Sequence, residues 1–373
     1  MGYVAVRGGE AAIKAAREFA RYLRVRGAAG DGGSLPLGVE QIRQQMRLAV
    51  DKVMSEGSLY APSYAALALK QAEGDSFEAA FILRAYRSSL PRALESDVVR
   101  TDEMRIIRRI SAAFKDVPGG QLLGPTRDYA IQLLDFSLVR EDRVAIDDFL
   151  ARYLKMDAAA LPGVPSLPRV LDLLRDEGLL TTSPHIAKPD RPFDITLESL
   201  RFPAPRSAKL QALARGETGG MMALAYSSMR GYGAVHPVIG ELRVGYVPLR
   251  VRHPSSDVLL FAGEVLITEA EVISSRFDEE QGDSKPAFSV GYGLCFGHNE
   301  LKAISMAILD RTTCAERPQA PAEDEEFVLL HTDGIEAAGF TAHWKLPHYV
   351  TFQSHLDRLR AARKGAIHVE NGD

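Results

Sequence analysis

Residues 241–252 read ELRVGYVPLRVR, residues 258–273 read VLLFAGEVLITEAEVI and residues 288–296 read FSVGYGLCF. Three runs rich in β-branched and aromatic residues, each bounded by polar or glycine-rich stretches, predict three strands. N-terminal to them the pattern changes period. The segment VEQIRQQMRLAVDKVMSEG (residues 39–57) puts Ile42, Met46, Ala49, Val50 and Val53 on one helical face and predicts a helix ending at Gly57. Gly8-Gly9-Glu10 opens an earlier helix carrying Ile13, Ala16, Phe19, Ala20 and Leu23, after a short strand over residues 3–6. Pro62 suits the first turn of a helix over 63–72, and Asp75 with Glu78 has the spacing of a capping box before a helix over 77–90. Thr101 caps a predicted helix over 102–114, followed by helices over 127–138 and 142–154. Leu167, Val170, Leu171 and Leu174 mark one more, within a stretch that then carries Pro184, Pro189, Pro192, Pro203 and Pro205. A helix through 221–229 precedes the strands, and helices over 299–310, 335–342 and 353–363 follow them.

The fold class that emerges is α+β, a mainly helical N-terminal region followed by a mixed antiparallel-sheet and helix C-terminal region. Residues 1–160 form the helical region, 161–205 a proline-rich linker or embellishment, and 206–373 an α+β region holding the candidate site residues. With 46% hydrophobic residues over 373 positions, a sizeable core needs no disulfides. The balance of 45 Lys+Arg against 49 Asp+Glu provides no global field for nucleic acid or an anionic membrane, so neither is an expected partner. No uncharged apolar run approaches the ~20 residues of a membrane span. Two cysteines, Cys295 and Cys314, and a start that turns at once amphipathic predict a cytoplasmic protein. Histidine is unevenly spread: five of nine fall in the last 43 residues.

PGGQLLGPT, residues 118–126, resembles a phosphate-cradling loop through Gly119, Gly120, Gly124 and Thr126, with Arg108, Arg109 and Lys115 upstream to supply charge. It lacks the Gly-Lys-Ser/Thr ending of a P-loop, so a tight structural connection is the competing reading. Arg230 and His236 sit in a glycine-rich turn leading to Glu241 and Arg243, and neither Gly231-x-Gly233 nor Gly291-x-Gly293 completes a dinucleotide fingerprint. Glu264, Glu269 and Glu271 follow on a strand pattern, and the period of two puts Glu269 and Glu271 on one face. Paired carboxylates there could serve an oxocarbenium-like centre or a divalent metal, but a solvated sheet face is the more common arrangement. The acidic run Glu323–Glu326 reads as a solvated loop. His343 and His348 flank a helix end and the turn after it, where two imidazoles can converge on Zn²⁺, but a structural site needs four ligands and no cysteine pair is near. There is no G-x-S-x-G, HExxH or CxxC string, which leaves serine-hydrolase, zincin and iron-sulfur chemistry without support.

Read together, Gly8-Gly9-Glu10, ALALKQA (66–72), LRAYR (83–87), RRISAAFKDVPGGQLLGPT (108–126), ALAYSSMRGYG (223–233), DEEFVLLH (324–331) and KLPHYV (345–350) resemble the PhnI family of the bacterial carbon-phosphorus lyase system. The likeness spans nearly the whole chain and is weakest over residues 141–206. It implies a transferase that displaces adenine from MgATP with an alkylphosphonate, giving α-D-ribose 1-alkylphosphonate 5-triphosphate, and that acts alone as a nucleosidase on ATP or GTP. It also implies sister subunits in a complex with two copies of each chain. The family's H-x-K-L-P-H string, here His343 to His348, implies a Zn²⁺ shared with the radical-chemistry subunit. Cleavage of an N-glycosidic bond wants a carboxylate near the ribose, for which Glu241, Glu264 and Glu269 are candidates, and a proton donor at the base, for which His236 and Glu271 are candidates. Mg²⁺ with the triphosphate would sit near Arg108, Arg109, Lys115 and the glycine loop, or near Arg230. The alternative is a non-catalytic scaffold that docks partners and donates two histidines.

Overall fold

The computed structural model describes residues 9–26, 35–130, 132–157, 167–180, 192–230, 236–256, 258–276, 287–315 and 317–370. Among these lie thirteen α-helices and four strands, with the order expected for an α+β chain. Helices α1 (Glu10–Val25), α2 (Val39–Gln45), α3 (Arg47–Gly57), α4 (Pro62–Gln71) and α5 (Ser76–Ser88) come first. Strand β1 (Arg105–Ile110), α6 (Arg143–Asp157) and α7 (Val170–Asp176) follow, then α8 (Arg206–Arg215) and α9 (Thr218–Arg230). Strands β2 (Val238–Arg252), β3 (Leu259–Arg276) and β4 (Ala287–Phe296) lead to α10 (Glu300–Thr312), α11 (Glu325–His331), α12 (Gly334–His343) and α13 (Tyr349–Glu370).

Local chemistry explains most of the helix ends. Pro62 occupies the first turn of α4, and the Asp75 carboxylate accepts from the amides of Phe77 and Glu78 at 2.9 and 3.2 Å to start α5. The single helix expected over 39–57 is two, broken at Met46, and the left-handed cap falls on Ser58, not on Gly57. Ile42, Val50, Val53, Ala65, Leu69, Ala79 and Leu83 close α2 to α5 into one buried cluster. The acidic run is no mere loop, because Asp324 accepts from the Phe327 amide at 2.9 Å and caps α11, with Glu325 and Glu326 in its first turn. Helix α8 was not anticipated. The strand expected over 3–6 and the Gly231-x-Gly233 string lie outside the described residues.

Two expected helices are corrected. Thr101 does open a helical turn, over Thr101–Glu103, but RIIRRI then extends as β1 along the edge of β2. The β-branched Ile106 buries with Val247, Val265 and Ile267 there, a tertiary gain that outweighs the local cap. Within the helix expected over 127–138, residues 127–130 and 132–135 form turns and irregular backbone ahead of a 3₁₀ segment, Phe136–Arg140. Their apolar side chains, Leu133 and Leu134 among them, are exposed, so no buried face is present to stabilise a helix.

The sheet is a four-stranded antiparallel meander in the order β1-β2-β3-β4. One face is covered by α10, whose Ala303, Met306 and Ala307 join Leu242, Ala270, Val272 and Cys295 with Met221 and Leu213 in the largest apolar cluster. Close approach requires the two β4 glycines. A Cβ built on Gly291 or Gly293 would lie 1.9 Å from the Ala307 carbonyl oxygen or 2.0 Å from that of Ala303. That contact, not a nucleotide fingerprint, accounts for Gly291-x-Gly293. Gly293→Ala must push α10 off the sheet, and is expected to destabilise the chain by about 1–3 kcal/mol. The urea midpoint checks this, and an unchanged midpoint would mean that the helix yields freely.

Candidate functional site

The opposite face of the sheet is charged. The register sets Arg243 across from Glu269, Glu241 across from Glu271 and Tyr292 across from Glu271, while Arg109 of β1 lies beside Arg243. The period of two therefore brings Glu241, Arg243, Glu269 and Glu271 to one face, and all four are buried along with Arg109. Helix α7 and the 101 turn close over them. Arg169, immediately before α7, donates to Glu269 at 2.6 Å, to Glu271 at 3.2 Å and to the Thr101 hydroxyl at 2.8 Å. Glu269 also accepts from Arg243 Nε at 3.0 Å and from the Tyr292 hydroxyl at 2.8 Å. Arg169, with its side chain 24% exposed, is where the cluster reaches solvent, and its Nε finds no acceptor among the described residues.

This arrangement separates two neighbouring carboxyls. Burial alone would raise Glu269, but the Arg243 and Arg169 guanidiniums and the hydrogen bonds it accepts outweigh that and hold it below the usual carboxylate range. Glu271 is pushed up to about 7 by burial, which the Arg169 charge only partly opposes and which ionised Glu269 and Glu241 reinforce. Burial and the adjacent Glu269 charge also raise the Tyr292 phenol. A pair of carboxyls driven apart in this way supplies a fixed negative charge and, beside it, a proton that can be given up near neutral pH.

The sequence-derived residues divide accordingly. Glu241, Glu269 and Glu271 are brought together. Glu264 is not; it sits exposed toward the other end of β3, paired with Arg105 at 2.9 Å. His236 is exposed ahead of β2, and Arg230 is exposed at the end of α9 with its guanidinium 5.8 Å from the Tyr226 ring. Arg109 is engaged on every side: Nε donates to Glu241 at 2.5 Å, Nη1 to the carbonyls of Pro118 and Gly120 at 2.6 and 3.2 Å, and Nη2 to the Pro168 carbonyl at 2.7 Å. The glycine loop thus turns carbonyls toward Arg109, and Leu122 exchanges both backbone hydrogen bonds with it. Gly124, at φ 59°, has no room for a Cβ, which would lie 2.2 Å from the Ile107 carbonyl oxygen. The Thr126 hydroxyl accepts from the Asp128 amide at 3.1 Å, and Lys115 is exposed. Arg108 pairs with Glu300 at 2.6 Å and with Asp128.

Sequence reasoning missed Arg169, Thr101 and Tyr292, which arrive from distant segments, and the His298–Glu300 pair. His298 Nε2 lies 2.7 Å from Glu300, and Nδ1 faces the Arg47 guanidinium at 3.3 Å. A guanidinium only donates, so Nδ1 accepts and Nε2 carries the hydrogen.

A second, separate feature is the corner between α12 and α13. The His343 and His348 rings lie 5.4 Å apart between centroids, each against Trp344. His343 Nδ1 contacts the Phe340 carbonyl and His348 Nδ1 contacts the Leu346 carbonyl at 2.6 Å. A carbonyl only accepts, so both Nδ1 atoms are donors and both Nε2 atoms keep a lone pair, the tautomer in which Nε2 can bind a metal. Among the described residues no group of three or more His, Cys, Asp or Glu could hold a metal ion. The donor chemistry therefore fits half a zinc site. Phe340, Trp344, Leu346, Tyr349, Val350 and Phe352 stand exposed around it.

Residues 2–366 match the family model described as bacterial phosphonate metabolism protein (PhnI). A putative C-P lyase subunit protein, HtxH, of Stutzerimonas stutzeri is 52% identical, over 98% of this chain and 97% of that protein. The alpha-D-ribose 1-methylphosphonate 5-triphosphate synthase subunits PhnI of Escherichia coli (strain K12) and Rhizobium meliloti (strain 1021) are 45% and 43% identical. They are covered over 99% and 95% of their lengths, by 98% and 97% of this chain.

Proposed function

Because the chain belongs to the PhnI family of bacterial phosphonate metabolism proteins, we propose that it is one subunit of a carbon-phosphorus lyase complex that displaces adenine from MgATP with an alkylphosphonate. The bond from ribose C1 to the base nitrogen breaks and a bond from C1 to a phosphonate oxygen forms. The products are adenine and an α-D-ribose 1-alkylphosphonate 5-triphosphate. With water in place of the phosphonate the chain alone is a purine nucleosidase on ATP or GTP. The observation that carries this reading is the match over residues 2–366, together with relatives at 43–45% identity named for that type of product. ATP as substrate agrees with a cytoplasmic location, and no described helix is long and apolar enough to cross a membrane.

The residues divide the work by charge. Departure of the base develops positive charge on the ribose ring, which Glu241 and Glu269 offset, while Glu271 gives its proton to the leaving base. Arg169 connects this cluster to solvent and holds both Glu269 and Glu271 in place. Of the cations expected for the Mg²⁺-bound triphosphate, Lys115 and Arg230 are exposed, whereas Arg108 and Arg109 are engaged with carboxylates. The test is to incubate the purified chain with MgATP, with and without methylphosphonate and sister subunits, and to follow free adenine by chromatography. Adenine release is expected in the complete mixture; none under any condition would remove the reading.

A scaffold role is the second reading, favoured by the α12–α13 corner. Zinc there would be held by Nε2 of His343 and His348, with further ligands from a partner subunit, and would supply a rigid positively charged link between chains. Elemental analysis should find zinc in the assembly and little in the isolated chain. His343→Ala or His348→Ala is expected to lower zinc affinity in the assembly beyond the 10- to 100-fold, roughly, that a lost outer-sphere partner costs. Full zinc occupancy in the isolated chain would contradict a shared site.

A further inference from the structure

Away from the sheet, α5, α8 and the segment 192–196 enclose a cleft of about 450 Å³, within the size range of small-molecule sites. Its charges do not balance. Three guanidiniums line it, those of Arg87, Arg92 and Arg215, against two carboxylates, Asp194 and Glu95, and Arg84 is a charged neighbour behind Arg87 and Arg215. Arg84 is engaged with Asp333 at 2.5 Å and with the Glu56 carbonyl at 2.5 Å, and Arg92 with Asp194 at 2.7 Å and Thr196 at 3.2 Å. Arg87 reaches the Ser58 carbonyl at 3.3 Å, and the Arg215 guanidinium feels Asp333 and Asp194 at a distance, without a hydrogen bond to a carboxylate among the described residues. Both are half-buried, and both are held below the usual arginine range, Arg87 by burial and the Arg84 and Arg92 charges and Arg215 by burial and the Arg87 and Arg84 charges. Asp194 offsets these cations only in part, and neither is hydrogen-bonded to a carboxylate among the described residues, an unfavourable arrangement that a bound anion would relieve.

The walls are firm. Gln211 of α8 accepts from the Ile195 amide at 3.3 Å and donates to the Phe193 carbonyl, which pins the 192–196 segment. Thr196 donates from its amide and hydroxyl to Asp194 Oδ1 at 2.8 and 2.6 Å, while Oδ2 holds Arg92 at 2.7 Å. Ser58 and Ser96 add hydroxyls to the lining. Planar guanidiniums with spare N–H pairs, flanked by hydroxyls, match the geometry of a tetrahedral oxyanion bearing two or more negative charges.

We propose that this cleft binds a phosphate-type oxyanion, the triphosphate tail of a nucleotide or an alkylphosphonate, on Arg87 and Arg215. The choice of oxyanions rests on the reaction proposed above, but binding needs no turnover. Calorimetric titration of the full chain with sodium tripolyphosphate, methylphosphonate and inorganic phosphate separates the sources. Tight binding of tripolyphosphate alone identifies the nucleotide tail, and binding of methylphosphonate in preference to phosphate identifies the phosphonate. Arg215→Ala is expected to weaken the bound oxyanion at least tenfold, with Arg215→Lys in between because the charge stays and the fork is lost. Should these variants not fold, phenylglyoxal modification of the unaltered chain gives the same answer, since the oxyanion must protect Arg87 and Arg215 as mapped by mass spectrometry. Binding of none of the three compounds, equal affinity in Arg215→Ala, or unprotected arginines would each overturn the site. A chain that releases adenine while Arg215→Ala binds as tightly loses this site and keeps the reaction. One that binds at Arg215 and never releases adenine keeps the site and loses the reaction.

Discussion

Arg109→Met is expected to destabilise the chain by about 3–5 kcal/mol, the usual consequence of removing one partner from a buried ion pair. Arg109 is fully buried and its pair Glu241 is 2% exposed, so neither water nor salt can replace the lost charge. The same guanidinium satisfies the carbonyls of Pro118, Gly120 and Pro168, which joins β1 to the glycine loop and to the segment entering α7. Removal therefore leaves Glu241 uncompensated and loosens the cover that holds Arg169 over Glu269 and Glu271. Adding Glu241→Leu should recover part of the loss, since the orphaned carboxylate goes while the three carbonyls stay without a donor. Urea titration of the two variants and the parent measures both steps. A single variant within about 0.5 kcal/mol of the parent, as surface substitutions are, would show that water reaches this face.

How far the sequence could be read differs between these parts for physical reasons. The three strands over 241–296 were legible because β-branched and aromatic residues recur with the right spacing, and the shared face of Glu269 and Glu271 followed from the pleat. Strand β1 was not, because a good helix-start signal at Thr101 precedes RIIRRI, and only the edge of β2, more than a hundred residues on, makes extension favourable. The carboxylates of the cluster could be found, but not their partners: Arg169 lies 100 residues before Glu269, and no local signal links them. For the same reason Arg108 and Arg109 look like spare cations in a string, whereas packing gives each a carboxylate. The histidine corner was legible as a pair, since four intervening residues, one of them a proline, set its geometry, yet the free Nε2 atoms depend on which carbonyls the Nδ1 atoms find.

Glu271→Gln should change both the pH dependence of stability and the chemistry, and the two readouts separate its roles. The unfolded carboxyl titrates near 4.5 and the folded one near about 7, so between those values the folded chain holds a proton that the unfolded chain has released. Stability contributed by that proton is present below pH 4.5, declines through the window and is gone above 7. At 1.36 kcal/mol per unit the full difference is roughly 3 kcal/mol, and the 6% exposure of Glu271 leaves little solvent to diminish it. Gln is neutral at every pH and still offers Arg169 an oxygen, so the variant should match the parent near pH 5 and exceed it at pH 8. In the proposed reaction the same proton goes to the departing base, so adenine release by the parent falls as pH rises through about 7. The variant, with no proton to give, should lose on the order of 10²–10⁴-fold below pH 7, with the gap narrowing at higher pH as the parent loses the same proton. A flattened stability profile with undiminished adenine release would make Glu271 a structural acid and move the proton donor elsewhere, His236 being the first to test. An unchanged stability profile would show that Glu271 is ionised in the folded chain at neutral pH, and the division of roles between Glu269 and Glu271 would fall with it.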